Sequence, residues 1–246
     1  MSIRAVVWDI DDTLYDYTGS DRTAALRYFE AVGLLARFAS PEAAFARWDA
    51  VMRATYPRFL AGELSFVAMR RVRVRTFLGE SVNDADADRW FAGYLACREG
   101  TDALFPDVLP ALDALAGGYR FGLLSNSNGP QQDRRLRTLG VRERFEVLLC
   151  SDELGFAKPA PEAFLAACAA LGLPPDEVAY VGDQPDTDAA AAHAAGLHGV
   201  WLDRANGTGR TDQADSGVRP TASGGPHRIA CLSELPALLA GLRPPV

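Results

Sequence analysis

The sequence predicts an α/β protein whose mostly parallel sheet is interrupted, after its first strand, by a helical insertion. Three observations carry that expectation. A short apolar run, Ala5 to Ile10, ends in carboxylates; a block rich in Ala, Arg, Leu and aromatics fills Asp21 to about Gly100; and after Pro106 strand-like and helix-like runs alternate to near the end. A length of 246 residues accommodates either one large α/β domain or a core carrying a smaller inserted one.

Ala5 to Ile10 suits a strand buried on both faces, with its C-terminal end delivering side chains to a crevice. The block that follows contains DRTAALRYFEAVGLLARF, PEAAFARWDAVMRATYPRFL and SFVAMRRVRVRTFL, several opening on Asp, Pro or Ser, and Asp84 to Arg98 reads as a further helix. From Pro106 onward a helix near Val108 to Ala116 precedes the strand YRFGLLSN. The helix QQDRRLRTLG, the strand FEVLLC, a helix from about Pro161 to Leu171, the strand EVAYVGD, a helix from about Thr187 to Ala195 and the strand GVWLD complete the series. Repeated strand and helix units make a mostly parallel sheet the natural solution. Asn206 to Pro226, rich in Gly, Thr, Ser, Asp and Pro, reads as a long surface loop without a catalytic role. A last strand and helix, HRIACL and SELPALLAGL, return to the core, with Ser233 as the expected helix cap.

A net charge of -7 disfavours a nucleic-acid partner or an anionic lipid surface, which need clustered Lys and Arg. Cys97, Cys150, Cys168 and Cys231 lie far apart with no metal-finger spacing, and read as ordinary buried thiols. No apolar run approaches the roughly 20 residues that span a bilayer, and no export signal precedes VVWDIDDTL, so a cytoplasmic location without membrane attachment is expected.

The chemistry concentrates in four segments. In VVWDIDDTL, Asp9, Asp11 and Thr13 recur at intervals of two, the spacing that shares one side of an extended chain. Two carboxylates there can divide labour, one attacking an electrophile while the other carries a proton. Taken alone such a pair more often opens a solvated turn, but three further segments follow. FGLLSNS ends a strand at Ser125 and Asn126, where a hydroxyl and backbone amides could hold phosphate oxygens, or where Ser125 could simply cap a helix. GFAKPAPEAF offers Lys158 as a neutralising cation. VAYVGDQPDTDAAAAHAAG places Asp183 at another strand end and Asp188 five residues on, suited to a hard cation or to helix capping.

In this order the segments resemble the haloacid dehalogenase superfamily, in particular its phosphatase branch with a helical cap after the first strand, over about Ile3 to Leu242. The resemblance implies a Rossmann-like three-layer core and a magnesium-dependent phosphatase acting on a small phosphorylated metabolite. It implies Asp9 as nucleophile and metal ligand, and Asp11 as acid/base whose main-chain carbonyl also meets the metal. Thr13 would support the phosphate loop, Ser125, Asn126 and Lys158 would bind phosphate, Asp183 would complete the metal ligands, and Asp188 would lie in the shell behind them. Asp9 and Ser125 are 116 positions apart (125 − 9) and Ser125 and Lys158 only 33 (158 − 125), so the insertion falls between the first two motifs. The expected division is a core of residues 1–16 and 103–246 with a cap of residues 17–102, the cap acting as a lid.

Within such a fold the alternatives are a 2-haloacid dehalogenase, a phosphomutase, or a binding protein without turnover. Asp11 argues against the first, because departing halide needs no proton. The run Arg70, Arg71, Arg73 and Arg75 is weighted about three to one toward a solvated face rather than a substrate contact, and Trp48, Tyr56 and Phe59 toward cap core. Lys158→Ala is expected to remove turnover while sparing the fold.

Overall fold

The computed structural model describes residues 2–204 and 225–242. Two compact units are present, one holding the described residues up to Tyr15 and from Leu104 onward, the other Asp16–Ala103. The chain opens with strand β1, Ala5–Trp8, all four residues of which are buried.

The second unit is helical. It contains α1 (Tyr17–Ala31), α2 (Pro41–Leu60), α3 (Phe66–Leu78) and α4 (Asp84–Arg98). Each starts where a short polar side chain accepts an orphan amide: Asp16 from Gly19, Ser40 from Ala43, Ser65 from Ala68 and Asn83 from Asp86. Each such cap is worth about 1 kcal/mol. α3 stops at Gly79, whose φ of 68° places it in the left-handed conformation that ends helices at little cost. The apolar faces meet around Phe29, Trp48, Phe77, Phe91 and Tyr94. Trp48 therefore belongs to the core of this unit, as does Phe59, while Tyr56 is half-buried beside it. Arg71 donates to Asp84 and Asp88, and Arg75 to Asp84, so the shared face of α3 is tied to α4 by ion pairs. Arg73 is instead buried, its guanidinium 3.6 Å from the Trp48 ring centroid and 3.4 Å from the Asp21 carboxylate.

The first unit resumes with α5 (Val108–Leu115), β2 (Arg120–Ser125), α6 (Gly129–Thr138), β3 (Val147–Cys150), the one-turn α7 (Ser151–Leu154), α8 (Pro161–Leu171) and β4 (Val178–Gly182). A π-helical turn, Pro185–Ala190, leads into the short α9 (Ala191–Ala194), followed by β5 (His198–Leu202), β6 (His227–Ile229) and α10 (Leu235–Gly241). The six strands form one sheet in the order β3-β2-β1-β4-β5-β6, and every pairing is parallel. The α/β architecture with a parallel sheet is thus the one the alternation predicts. α8 covers the sheet with Ala163, Phe164, Ala167, Cys168 and Leu171, packed among Ala5, Val7, Val178 and Tyr180. These helical positions recur at three and four residues, the stripe that buries a helix on a sheet.

Three expectations change. Ser233 caps no helix: it lies inside a 3-10 turn, Leu232–Glu234, and its hydroxyl contacts the Cys231 thiol. Only Cys150 and Cys168 are buried, Cys97 and Cys231 being half-exposed. The expected helix from Thr187 is two pieces, the π-helical turn and α9, and Gly199 of β5 lies against the backbone of Ala189 where they meet. The segment read as a surface loop lies, as far as residue 224, outside the described residues. Among the described residues no helix is long and apolar enough to cross a membrane.

Candidate active site

Parallel strands that leave a central strand in opposite directions open a crevice at their C-terminal ends. Here β1 lies between β2 and β4, and the motif residues follow those strand ends. Asp9 comes directly after β1, its amide still in the ladder at 2.9 Å from the Val181 carbonyl. Ser125 closes β2, Asp183 follows β4, and Lys158 lies between α7 and α8, beyond β3. Asp12 has φ 59°, a left-handed conformation that a residue other than glycine adopts only where a tight turn demands it. That turn follows Asp11 and brings Tyr15 back to it, the Tyr15 hydroxyl donating to the Asp11 carboxylate, whereas Asp9 stays at the strand end beside Lys158.

The Asp9 surroundings are dense with charge. Lys158 Nζ donates to Asp9 Oδ1 at 2.6 Å, to Asp188 Oδ1 at 2.7 Å and to the Tyr180 hydroxyl oxygen at 2.8 Å. Asp9, Lys158 and Asp188 are all nearly inaccessible to solvent. Asp9, Asp183 and Asp188 each offer a carboxylate oxygen, and these oxygens lie within 4.8 Å of one another. Asp183 is half-buried as a residue, with its carboxylate end enclosed in this group. Its Oδ2 accepts from Gln184 Nε2 at 2.7 Å, and its carbonyl from the Trp201 indole at 3.0 Å. Asp188 also accepts from the Gln184 amide at 3.0 Å, so it serves the helix start and the charge cluster at once.

The Lys158 ammonium meets two of the three carboxylates, Asp9 and Asp188. Burial, opposed by Lys158 but helped by Asp188 and Asp11, pushes the Asp9 carboxyl up to about 7. Burial first, then Asp9 and Asp188, hold Asp183 well above the ordinary carboxylate range. Burial disfavours the Lys158 charge, yet Asp188 and Asp9 outweigh it and keep the ammonium well above its usual range. A cluster of hard oxygen donors with surplus negative charge fits a small divalent cation, and neither Cys nor His belongs to it.

Asp11 sits apart. Its Oδ1 accepts from the Tyr15 hydroxyl at 2.5 Å and its Oδ2 from Gln132 Nε2 at 3.0 Å. Its carboxylate is not one of the three in the cluster. Ser125 is buried, its hydroxyl accepting from Gln132 Nε2 at 3.3 Å. The Asn126 side chain does not point a free amide toward a ligand. It donates to the Lys158 carbonyl and accepts from the Lys158 amide, both at 2.8 Å, and so clamps the lysine loop. Thr13 is fully buried, its carbonyl accepting from Arg204 at 2.7 Å while its hydroxyl finds no hydrogen-bond partner among the described residues. Tyr180, Tyr15 and Gln132 were not singled out by sequence. Tyr180 reads there as one more apolar strand residue and Gln132 as part of a polar helix surface.

The profile of haloacid dehalogenase-like hydrolases matches residues 3–196. Over 212 residues the chain is 29% identical to glyceraldehyde 3-phosphate phosphatase of Methanopyrus kandleri, covering 82% of this chain and 84% of that one. Over 248 residues it is 27% identical to N-acylneuraminate-9-phosphatase of Rattus norvegicus, covering 98% and 95%. Among solved structures, the magnesium-bound HAD hydrolase YfnB of Bacillus subtilis superposes with a TM-score of 0.77 at 20% identity, covering 98% of this chain and 100% of that one. A 2-haloacid dehalogenase of Pseudomonas syringae pv. tomato superposes at 0.68 with 27% identity and the same coverage. The chain belongs to the haloacid dehalogenase-like hydrolase family. Within that family it is a phosphatase, the class of its sequence relatives.

Proposed function

We propose that the protein hydrolyses a small phosphate monoester through a phosphoaspartate on Asp9, with Asp11 as proton carrier and magnesium as cofactor. The observation that carries this reading is the separation of the two carboxylates of the first motif: Asp9 lies against Lys158 in the charge cluster, and Asp11 lies outside it on Tyr15 and Gln132. An Asp9 oxygen attacks phosphorus while the ester oxygen departs with a proton from Asp11. Asp11, now a carboxylate, takes a proton from the water that attacks the phosphoaspartate, and inorganic phosphate leaves with Asp9 restored. Lys158 offsets charge on the nucleophile and the transferring group. Asp9, Asp183 and the Asp11 carbonyl would hold the metal, with Asp188 bracing it, and when bound it would neutralise phosphate oxygens and lower the proton affinity of Asp9. Thr13, Ser125 and the Asn126 backbone amide are proposed to line the phosphate subsite, with the Asn126 side chain holding the lysine loop. The helical unit is proposed to be the cap that selects the substrate.

The named relatives act on a three-carbon sugar phosphate and on a sugar-acid phosphate, and the same class of small phosphorylated metabolites is proposed here. Phosphate release from a panel of such esters should require magnesium. Asp9→Asn should abolish it. Asp11→Asn should lose about 10²- to 10⁴-fold on an alkyl phosphate, the usual contribution of general acid catalysis. On an aryl phosphate, whose leaving group needs little protonation, the same variant should give a burst of phenol and then slow turnover. Full activity after chelation would remove the metal from the mechanism. Halide release from 2-haloacids, with no phosphate release, would move the protein to the dehalogenase branch.

A further inference from the structure

Gln132 lies on the first turns of α6, immediately beyond β2, and is fully buried. Its Nε2 donates to both Asp11 Oδ2, at 3.0 Å, and Ser125 Oγ, at 3.3 Å. Its Oε1 accepts from Arg135 Nη1 at 2.9 Å. Arg135, one turn along the same helix, also lies 3.8 Å from Asp11 Oδ1 and stacks over the Tyr15 ring at 4.8 Å, while Tyr15 donates to that same Oδ1.

An amide can point either way in a site, and its partners decide which. Turned over, Gln132 would set its oxygen against the Asp11 carboxylate and its NH2 against the Arg135 guanidinium, two mismatched contacts in a buried place. Arg135 thereby fixes the direction of the amide, and the amide fixes Asp11 relative to Ser125. We propose that Gln132 is a positioning residue of the phosphatase reaction, holding the proton carrier and the phosphate-side hydroxyl in one fixed relation, with Arg135 setting its orientation. The proposal rests on the reading of Asp11 as proton carrier.

Two variants test it. Gln132→Met keeps the bulk and loses both polar ends. Gln132→Glu keeps an oxygen for Arg135 but has no NH2 for Asp11. The two differ in packing and charge and share only the missing donor. Misplacement of a reacting group by about 1 Å costs on the order of 10²-fold, so kcat on an alkyl phosphate should fall about 10- to 100-fold in both variants, with KM within about threefold. The rate of first phenol release from an aryl phosphate in a single turnover, a step that needs little acid catalysis, should change by less than about threefold. Thermal denaturation identifies a variant that fails to fold, in which case the glutamate variant, which retains the Arg135 contact, decides. Equal losses in alkyl turnover and in the first release of phenol from the aryl ester, or normal turnover in the glutamate variant, would overturn the role of Gln132 if Asp11→Asn still discriminates between leaving groups. If Asp11→Asn does not discriminate either, the assignment of Asp11 falls and this proposal with it.

Discussion

At the scale of single residues, Lys158 shows how burial changes an expectation drawn from sequence. From sequence Lys158 reads as a cation of the site rather than a core side chain, and on that reading Lys158→Ala lowers turnover greatly and leaves the fold largely intact. The structure instead places its ammonium between two buried carboxylates, Asp9 and Asp188. Removing one partner of a buried ion pair costs about 3–5 kcal/mol, because the remaining charge is left uncompensated. Here the lower end is expected, since Asp9, already pushed up to about 7, can take up a proton instead. Lys158→Ala should therefore lose phosphate release and also melt at lower temperature than the parent. The gap should be wider at pH 8 than at pH 6, where protonation of Asp9 relieves the site. Equal melting temperatures, compared by calorimetry without metal, would contradict this account.

At the scale of elements, the strands and the four motifs were legible because their signals are local: apolar runs that end in carboxylates, a hydroxyl or a glycine. What was not legible depends on partners distant in sequence. Gln132 in QQDRRLRTLG is indistinguishable from a solvated helix residue until β1 brings Asp11 beneath it. The task of the Asn126 side chain is invisible until Lys158 occupies both of its ends. The π-helical turn after Asp183 likewise packs on a strand distant in sequence, β5. A Cβ built on Gly199 would come within 2.0 Å of the Ala189 carbonyl oxygen, so only glycine lets the turn lie this close to the strand. Because that turn carries Asp188, Gly199→Ala should push it away and separate Asp188 from Lys158 and Asp9. The expected outcome is a lower melting temperature together with weaker magnesium binding by titration calorimetry. A variant with unchanged magnesium affinity would show that Asp188 does not depend on this approach.

For the whole molecule, the charge cluster links stability to pH and to metal. Asp9 is pushed up to about 7 from an ordinary value of 3.8, and Asp183 moves the same way. Between those values the folded protein binds more protons than the unfolded chain, so stability is fully present below pH ~4 on this account and falls as pH rises toward 7. The metal-free protein should accordingly melt lower at pH 8 than at pH 6. Saturating magnesium should reverse the trend, because a cation stabilises the deprotonated carboxylates and its affinity grows as they lose protons. Proton release on magnesium addition, measured in two buffers of different ionisation enthalpy, checks the same linkage; absence of release at pH 6 would refute it. The sheet order has a consequence of another kind. The strand that precedes the nucleophile is made first, yet its backbone partners run through Arg120 to Leu123 on one side and Val178 to Val181 on the other. The amide of Asp9 itself is closed by Val181. During synthesis this strand must wait, unpaired, while the helical unit emerges and can settle on its own neighbouring contacts. Returning enzymatic activity in a refolding experiment is thus a clock for the latest long-range closure, and the helical signal is a clock for an earlier one.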